Sequence, residues 1–105
     1  MPIFLYLTTT GRASGHSREI EIWFTERGGR FYLIAELRER ANWVRNIQAQ
    51  PQVRVRVGDR RFDATARVVH DDCEPELTKA VKELSDAKYG WSDGLVVELK
   101  PVQPT

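Results

Sequence analysis

Gln52-Val53-Arg54-Val55-Arg56-Val57-Gly58-Asp59-Arg60-Arg61-Phe62-Asp63-Ala64-Thr65-Ala66-Arg67-Val68 reads as two alternating strands joined by a tight turn. Val53, Val55 and Val57 share one face against Gln52, Arg54 and Arg56, and Phe62, Ala64, Ala66 and Val68 share one against Arg61, Asp63, Thr65 and Arg67. If Gly58-Asp59 is the turn, Val55 falls opposite Phe62 and Arg54 opposite Asp63. Apolar then meets apolar and opposite charges meet, which supports that register. The same register sets Arg56 against Arg61. Directly opposed like charges are unfavourable, so these arginines either splay into water or hold an anion.

The pattern extends in both directions. Ile3 to Thr10 is a first apolar strand, and Arg18 to Thr25 a second, with Ile20, Ile22 and Phe24 opposing Glu19, Glu21 and Trp23. Glu26 to Gly29 is a turn. Arg30 to Ala35 is a third strand, apolar on both faces and therefore central. Asn42 is suited to cap a short helix carrying Trp43, Val44 and Ile47 on one face, and Pro51 stops it. Asp71 or Asp72 would cap a second helix that tolerates Pro75 in its first turn and buries Leu77, Ala80, Val81 and Leu84. Tyr89-Gly90-Trp91 ends that helix, Gly94 to Pro101 supplies a sixth strand, and the tail from Val102 is expected to fray. The expectation is one domain over residues 1–105, mostly β with two short helices (α+β): six mainly antiparallel strands in the order βββαββαβ, forming a small barrel.

Composition narrows the function. The chain has 105 residues, with 16 Lys and Arg against 15 Asp and Glu, so no global field steers it to nucleic acid or an anionic membrane. The single Cys73 has no partner for an internal disulfide and lies among Asp71, Asp72 and Glu74, which would raise its pKa. An inert thiol and the lack of a signal-type N-terminus point to the cytoplasm. His16, His70 and Cys73 have no zinc-type spacing, and neither a Walker loop nor a dinucleotide GxGxxG is present. A noncovalent cofactor is then the natural source of any demanding chemistry, with small molecules as the partners expected.

Two stretches suit an anionic ligand. The loop in Thr8-Thr9-Thr10-Gly11-Arg12-Ala13-Ser14-Gly15-His16-Ser17-Arg18 combines glycines, hydroxyls and two forked donors, the chemistry of a phosphate clamp and also of a solvated turn. The helix start at Asn42-Trp43 presents free N–H groups, with Arg38, Arg40 and Arg45 nearby. Trp43, Tyr89 and Trp91 could flank a flat ligand or pack in the core. Glu36 and Glu39 would repel an anion unless they pair with Arg38 and Arg40.

TTxGRxSG followed by an arginine, together with Trp43-Val44-Arg45-Asn46-Ile47-Gln48-Ala49-Gln50-Pro51-Gln52-Val53-Arg54-Val55 as WxxN(I/L)xxxPxVxV, resembles the deazaflavin-dependent nitroreductase family. These are split β-barrels, more distantly similar to pyridoxamine-phosphate-oxidase-like flavin-binding proteins. The resemblance implies binding of coenzyme F420, with FMN as the alternative cofactor, and hydride transfer to a quinone, nitro compound or activated alkene. It places Gly11, Arg12, Ser14, Gly15 and Arg18 in the cofactor-binding loop and Trp43 and Asn46 on the pocket wall. It sets Tyr89 near the acceptor as a candidate proton donor, although a neutral phenol donating to solvent or backbone is the stronger reading. A homodimer sharing its pocket is the expected assembly. The competing expectation is a barrel that holds a flavin, haem or other ligand without F420 turnover.

Overall fold

A computed structural model describes residues 3–102, so residues 103–105 of the expected frayed tail lie outside the described residues. The elements run β1 (Phe4–Thr10), β2 (Ser17–Trp23), β3 (Thr25–Arg27), β4 (Arg30–Ala35), a single 3-10 turn (Arg38–Arg40), α1 (Asn42–Ala49), β5 (Gln52–Val57), β6 (Arg60–Val69), α2 (Pro75–Tyr89) and β7 (Leu95–Pro101). All strands join one antiparallel sheet in the spatial order β2-β1-β5-β6-β7-β4-β3. Among the described residues no helix is long and apolar enough to cross a membrane.

The mostly-β reading with two helices holds, but the sheet has seven strands where six were expected. The difference lies at Phe24. Residues 18–25 alternate without interruption, yet the backbone N–H of Phe24 donates to the Tyr89 hydroxyl (3.1 Å), and its carbonyl accepts from that hydroxyl (2.8 Å) and from Lys88 Nζ (2.9 Å). With both main-chain groups of Phe24 committed to α2, the expected second strand divides into β2 and β3. β2 and β3 are the two edges of the sheet, so a chain that passes between them through one residue requires the sheet to curl on itself.

The β5–β6 hairpin has the register read from the sequence: Val55 opposes Phe62, Arg54 opposes Asp63 and Arg56 opposes Arg61. Arg54 bonds Asp63 at 3.3 Å. The Arg56 guanidinium, part-exposed, lies 4.0 Å over the Tyr6 ring and reaches the Glu19 carboxylate at 3.7 Å. β4 is buried along both faces, as a strand paired on both sides should be.

Leu5, Leu7, Phe31, Leu33, Val55, Val97 and Leu99 face inward and form the core, and α1 closes one end of it with Ile47. Helix starts differ from expectation. Ala41, not Asn42, caps α1, and Glu74, not Asp71 or Asp72, precedes α2, neither with a side-chain cap bond. Along α2 the packed face is Leu77, Val81 and Ser85, spaced by four, while Leu84 stays 38% exposed. The turn that ends α2 puts Gly90 at φ +72, where an L side chain would be strained.

α2 is fastened at its N-terminal end by a buried carboxylate. Glu98 is 2% exposed and accepts from Tyr32 Oη (2.9 Å), Arg30 Nη1 (3.1 Å) and Arg67 Nε (2.9 Å), while Arg67 also grips Glu74 (2.5 Å). Burial pushes the Glu98 carboxyl up, but the hydrogen bonds from Arg67 and Tyr32 outweigh it and hold the group below the ordinary carboxylate range. The hydrogen bond from Arg67 likewise lowers Glu74. A depressed folded-state pKa stabilises above the unfolded value, about 4.3 for Glu, and that contribution is lost as pH falls through the folded value. Acidification from about pH 5 should therefore lower the melting temperature of the wild type more steeply than that of Glu98→Gln. Removing one partner of a buried ion pair by Arg67→Ala should cost about 3 kcal/mol, the low end of the usual range of about 3–5, because Arg30 and Tyr32 remain. Thermal unfolding followed from neutral into acid solution measures both, and an equally steep acid limb in Glu98→Gln would show that Glu98 is not the responsible group.

Candidate functional site

Where the curled sheet fails to close, the edge of β2 stands apart from the end of β4 and the start of α1, leaving a cleft of about 1150 Å³. That is ample for a small-molecule ligand, whose usual pocket is about 300–1,000 Å³.

One end of the cleft is rich in donors. The loop after β1 is tied internally, Gly11 N–H to His16 O and Gly15 N–H to Gly11 O, both at 2.8 Å. A Cβ at Gly11 would sit 2.8 Å from Ser14 Oγ and 3.2 Å from the His16 carbonyl oxygen, so a side chain there would displace the Ser14 hydroxyl and press on the loop backbone. Gly15 serves differently: its φ of +74 turns the chain, and it does not line the cleft. Gly11, Arg12, Ser14, Arg18, Trp43 and Asn46 all do. Ser14 is partly spent, because its Oγ accepts the His16 N–H at 3.2 Å. Arg12 Nη1 donates to Asn46 Oδ1 (2.8 Å), which also accepts the Arg12 backbone N–H (3.3 Å). Arg18 opposes Thr9 across β1–β2 and makes no ion pair among the described residues.

The other end is apolar and aromatic. Trp23 stacks on Tyr89 with centroids 4.5 Å apart and planes 3° from parallel, and meets Trp91 edge-on at 6.2 Å. Trp23 and Trp91 line the cleft together with Phe4, Ile22, Ile34 and Leu37. Trp43 is half-buried, and its indole both lines the cleft and packs against the core, so the two sequence readings of this residue are compatible. Sequence reasoning missed Phe4, Ile22 and Trp23. The signal was the outward bulk of Trp23 on an otherwise acidic strand face, in a chain with three tryptophans.

Two expectations are corrected by position. Tyr89 does not line the cleft: its hydroxyl is held by Phe24 and by the Ile3 carbonyl (2.6 Å), which makes it a structural hub. Arg38 pairs with Asp93 (3.2 Å), and Arg45 Nε donates to the Glu39 carbonyl (3.2 Å). Among the described residues Glu36 and Glu39 make no ion pair, and Glu36 lines the cleft. Cys73 is exposed, and the nearby Asp72 carboxylate raises its pKa, as its acidic surroundings imply.

The fold is thus a curled antiparallel half-barrel with a donor-lined and indole-walled cleft along its seam. The chain belongs to the F420H(2)-dependent quinone reductase family, whose model matches residues 1–93. It is 29% identical over 93 residues to an F420H(2)-dependent quinone reductase of Mycobacterium tuberculosis, covering 84% of this chain and 62% of that protein. The chain thus spans less than two thirds of that curated relative. Among solved structures it is similar to an F420-H2 dependent reductase, with TM-score 0.77, 23% identity and coverage of 93% of this chain and 94% of that one. It is also similar to a protein described as a domain-swapped dimer, with TM-score 0.70, 24% identity and coverage of 93% and 80%.

Tyr89→Phe removes a hydroxyl that bonds backbone and leaves the cleft lining intact. It should cost about 1–3 kcal/mol of stability, the penalty for unpaired buried backbone groups, and any fall in rate should accompany a lowered melting temperature, because the same contact supports the Trp23 wall. A melting curve and a steady-state rate on the same sample check this, and a collapsed rate at an unchanged melting temperature would make Tyr89 the proton donor after all.

Proposed function

We propose that this chain is an F420H2-dependent reductase acting on a quinone, nitro compound or activated alkene in the cytoplasm. The observation that carries the reading is convergence: Arg12 and Arg18 meet Trp43 and Asn46 on one cleft whose far wall is aromatic. Forked guanidinium donors suit the phosphate and carboxylates of the cofactor tail. Trp43 would flank the flat ring system, and Trp23 and Trp91 would flank an apolar acceptor. When bound, the reduced deazaflavin supplies a hydride from C5, and the acceptor takes its accompanying proton from solvent. The chain's own work is to orient the two planes and to exclude water from between them.

The curled sheet with its open seam supports naming the fold a split β-barrel. A homodimer is favoured by the exposed apolar residues at the cleft mouth, Phe4, Trp23 and Leu37, and by the domain-swapped dimer among the structural neighbours. One observation favours a second reading, a flavin- or haem-holding barrel without F420 turnover: Glu36 on the cleft wall, with no ion pair among the described residues, disfavours a highly anionic ligand.

Gel filtration after mixing with F420, FMN or haem, followed by visible absorption of the protein peak, separates these readings. Co-elution with F420, together with acceptor-dependent oxidation of F420H2, is expected; co-elution with FMN or haem alone would favour the second reading. Arg12→Ala and Arg18→Ala should each lose about 1.5–3 kcal/mol of F420 binding, as charge-assisted hydrogen bonds do, and unchanged dissociation constants in both would remove the loop from the site. Trp43→Phe should fold with nearly the wild-type melting temperature but bind F420 more weakly, since the larger ring is lost from the cleft wall. A lowered melting temperature with intact affinity would return that indole to a packing role alone.

A further inference from the structure

Beneath the loop after β1, three side chains form a closed relay. Asn46 is 5% exposed and Thr9 is 2% exposed, so both are buried polar groups whose bonds need accounting. Asn46 Nδ2 donates to Thr9 Oγ1 at 3.2 Å. Asn46 Oδ1 accepts twice from Arg12, from Nη1 at 2.8 Å and from the backbone N–H at 3.3 Å. Both lone pairs of the amide oxygen are therefore used. A flipped amide would turn its NH₂ towards two Arg12 donors, so the orientation is fixed. Arg12 Nη1 is further directed at the Asn42 carbonyl, at 3.5 Å. One edge of the guanidinium is thus held by α1, and the Nη2 and Nε donors have no partner among the described residues and are left for another acceptor.

We propose that Asn46 is a positioning residue: its buried amide, backed by Thr9, presents Arg12 to the cleft as a fixed oxyanion fork. The amide is the side chain suited to this task. A carboxylate at the same place would hold Arg12 as firmly but cancel its charge, and an aliphatic side chain would leave it mobile. The oxyanion belongs to the ligand of the proposed function, so this inference rests on that reading, whereas the latch on Arg12 stands without it.

The test uses the full chain with Asn46→Asp and Asn46→Leu, each alone and, for Leu, combined with Arg12→Ala. Two readouts are taken: F420 dissociation constants, and the rate of tryptic cleavage at Arg12–Ala13 in ligand-free protein. Asn46→Asp should keep the wild-type melting temperature and protection from trypsin, yet bind F420 at least tenfold more weakly, because the carboxylate competes for the guanidinium. A latch that merely holds the loop predicts no loss of affinity in that variant. Asn46→Leu should speed cleavage at Arg12 several-fold and weaken F420 binding, and the binding loss should vanish in the Arg12→Ala background. An additive loss there would mean that Asn46 acts on the ligand or scaffold independently of Arg12 and would overturn the proposal. If the wild type fails to bind F420, the proposed function fails by itself. The proteolysis then decides the latch, and an unchanged cleavage rate in Asn46→Leu overturns it. Should Asn46→Leu not fold, the affinity of Asn46→Asp alone decides, with wild-type binding counting against the proposal.

Discussion

The Tyr89 hydroxyl is the constraint on which the architecture depends. It takes the backbone N–H of Phe24 and returns a bond to backbone carbonyl oxygen, from the last turn of a helix that begins some fifty residues later in the chain. A strand that would otherwise run on is divided there. Its first half pairs with β1 and its second with β4, which lie at opposite margins of the sheet. Since the margins are joined through a single residue, the sheet is drawn together at that point and diverges away from it. The cleft is the divergent part of the seam. The pocket thus follows from how the chain crosses between edges and needs no separate cavity-forming device.

The divergence also explains why the cleft has two chemistries. Near the pinch, the walls come from Trp23 beside Phe24 and from Trp91 just past Tyr89, so the groups that close the barrel also supply its aromatic wall. At the open end, β1 and β2 are joined by the glycine-containing loop, where the backbone must turn sharply and arginines extend into the gap. The helix α1 lies against that end with Val44 and Ile47 inward, which leaves Trp43 and Asn46 at the cleft. Polar recognition and flat apolar contact are therefore separated along one seam, the arrangement needed by a ligand with an anionic tail and a planar head.

Much of this was legible in the chain, for a physical reason. Period-two alternation bounded by turn residues specifies a hairpin locally, so the Val55–Phe62 register could be read directly. The loop was legible because its composition is its chemistry. The division at Phe24 was not, because Ile20, Ile22 and Phe24 keep inward parity straight through the break, and the group that causes it is remote in sequence. The same remoteness hid the aromatic end of the cleft: Trp23 becomes a wall only after α2 brings Tyr89 and Trp91 beside it. The pairing of Arg38 with Asp93 in place of the neighbouring glutamates was similarly set by tertiary approach. Gly94 packs so closely on Ala35 O, where a Cβ would come within 2.5 Å, that Asp93 is carried towards the β4–α1 segment.

What remains is why α2 can serve as a strut. Its two ends are fixed by different physics. At the N-terminal end, Glu74 shares Arg67 with Glu98, a carboxylate buried beneath the helix and kept ionised by two arginines and Tyr32. At the C-terminal end, Lys88 and Tyr89 bind the Phe24 carbonyl, and Lys88 Nζ also lies 3.8 Å over the Phe24 ring. Between them the buried face is Leu77, Thr78, Val81 and Ser85, a modest apolar face for a helix of 15 residues. The two ends of α2 are thus tied to different parts of the sheet, the first to β6 and β7 through Arg67 and Glu98 and the last to the β2–β3 junction through Phe24.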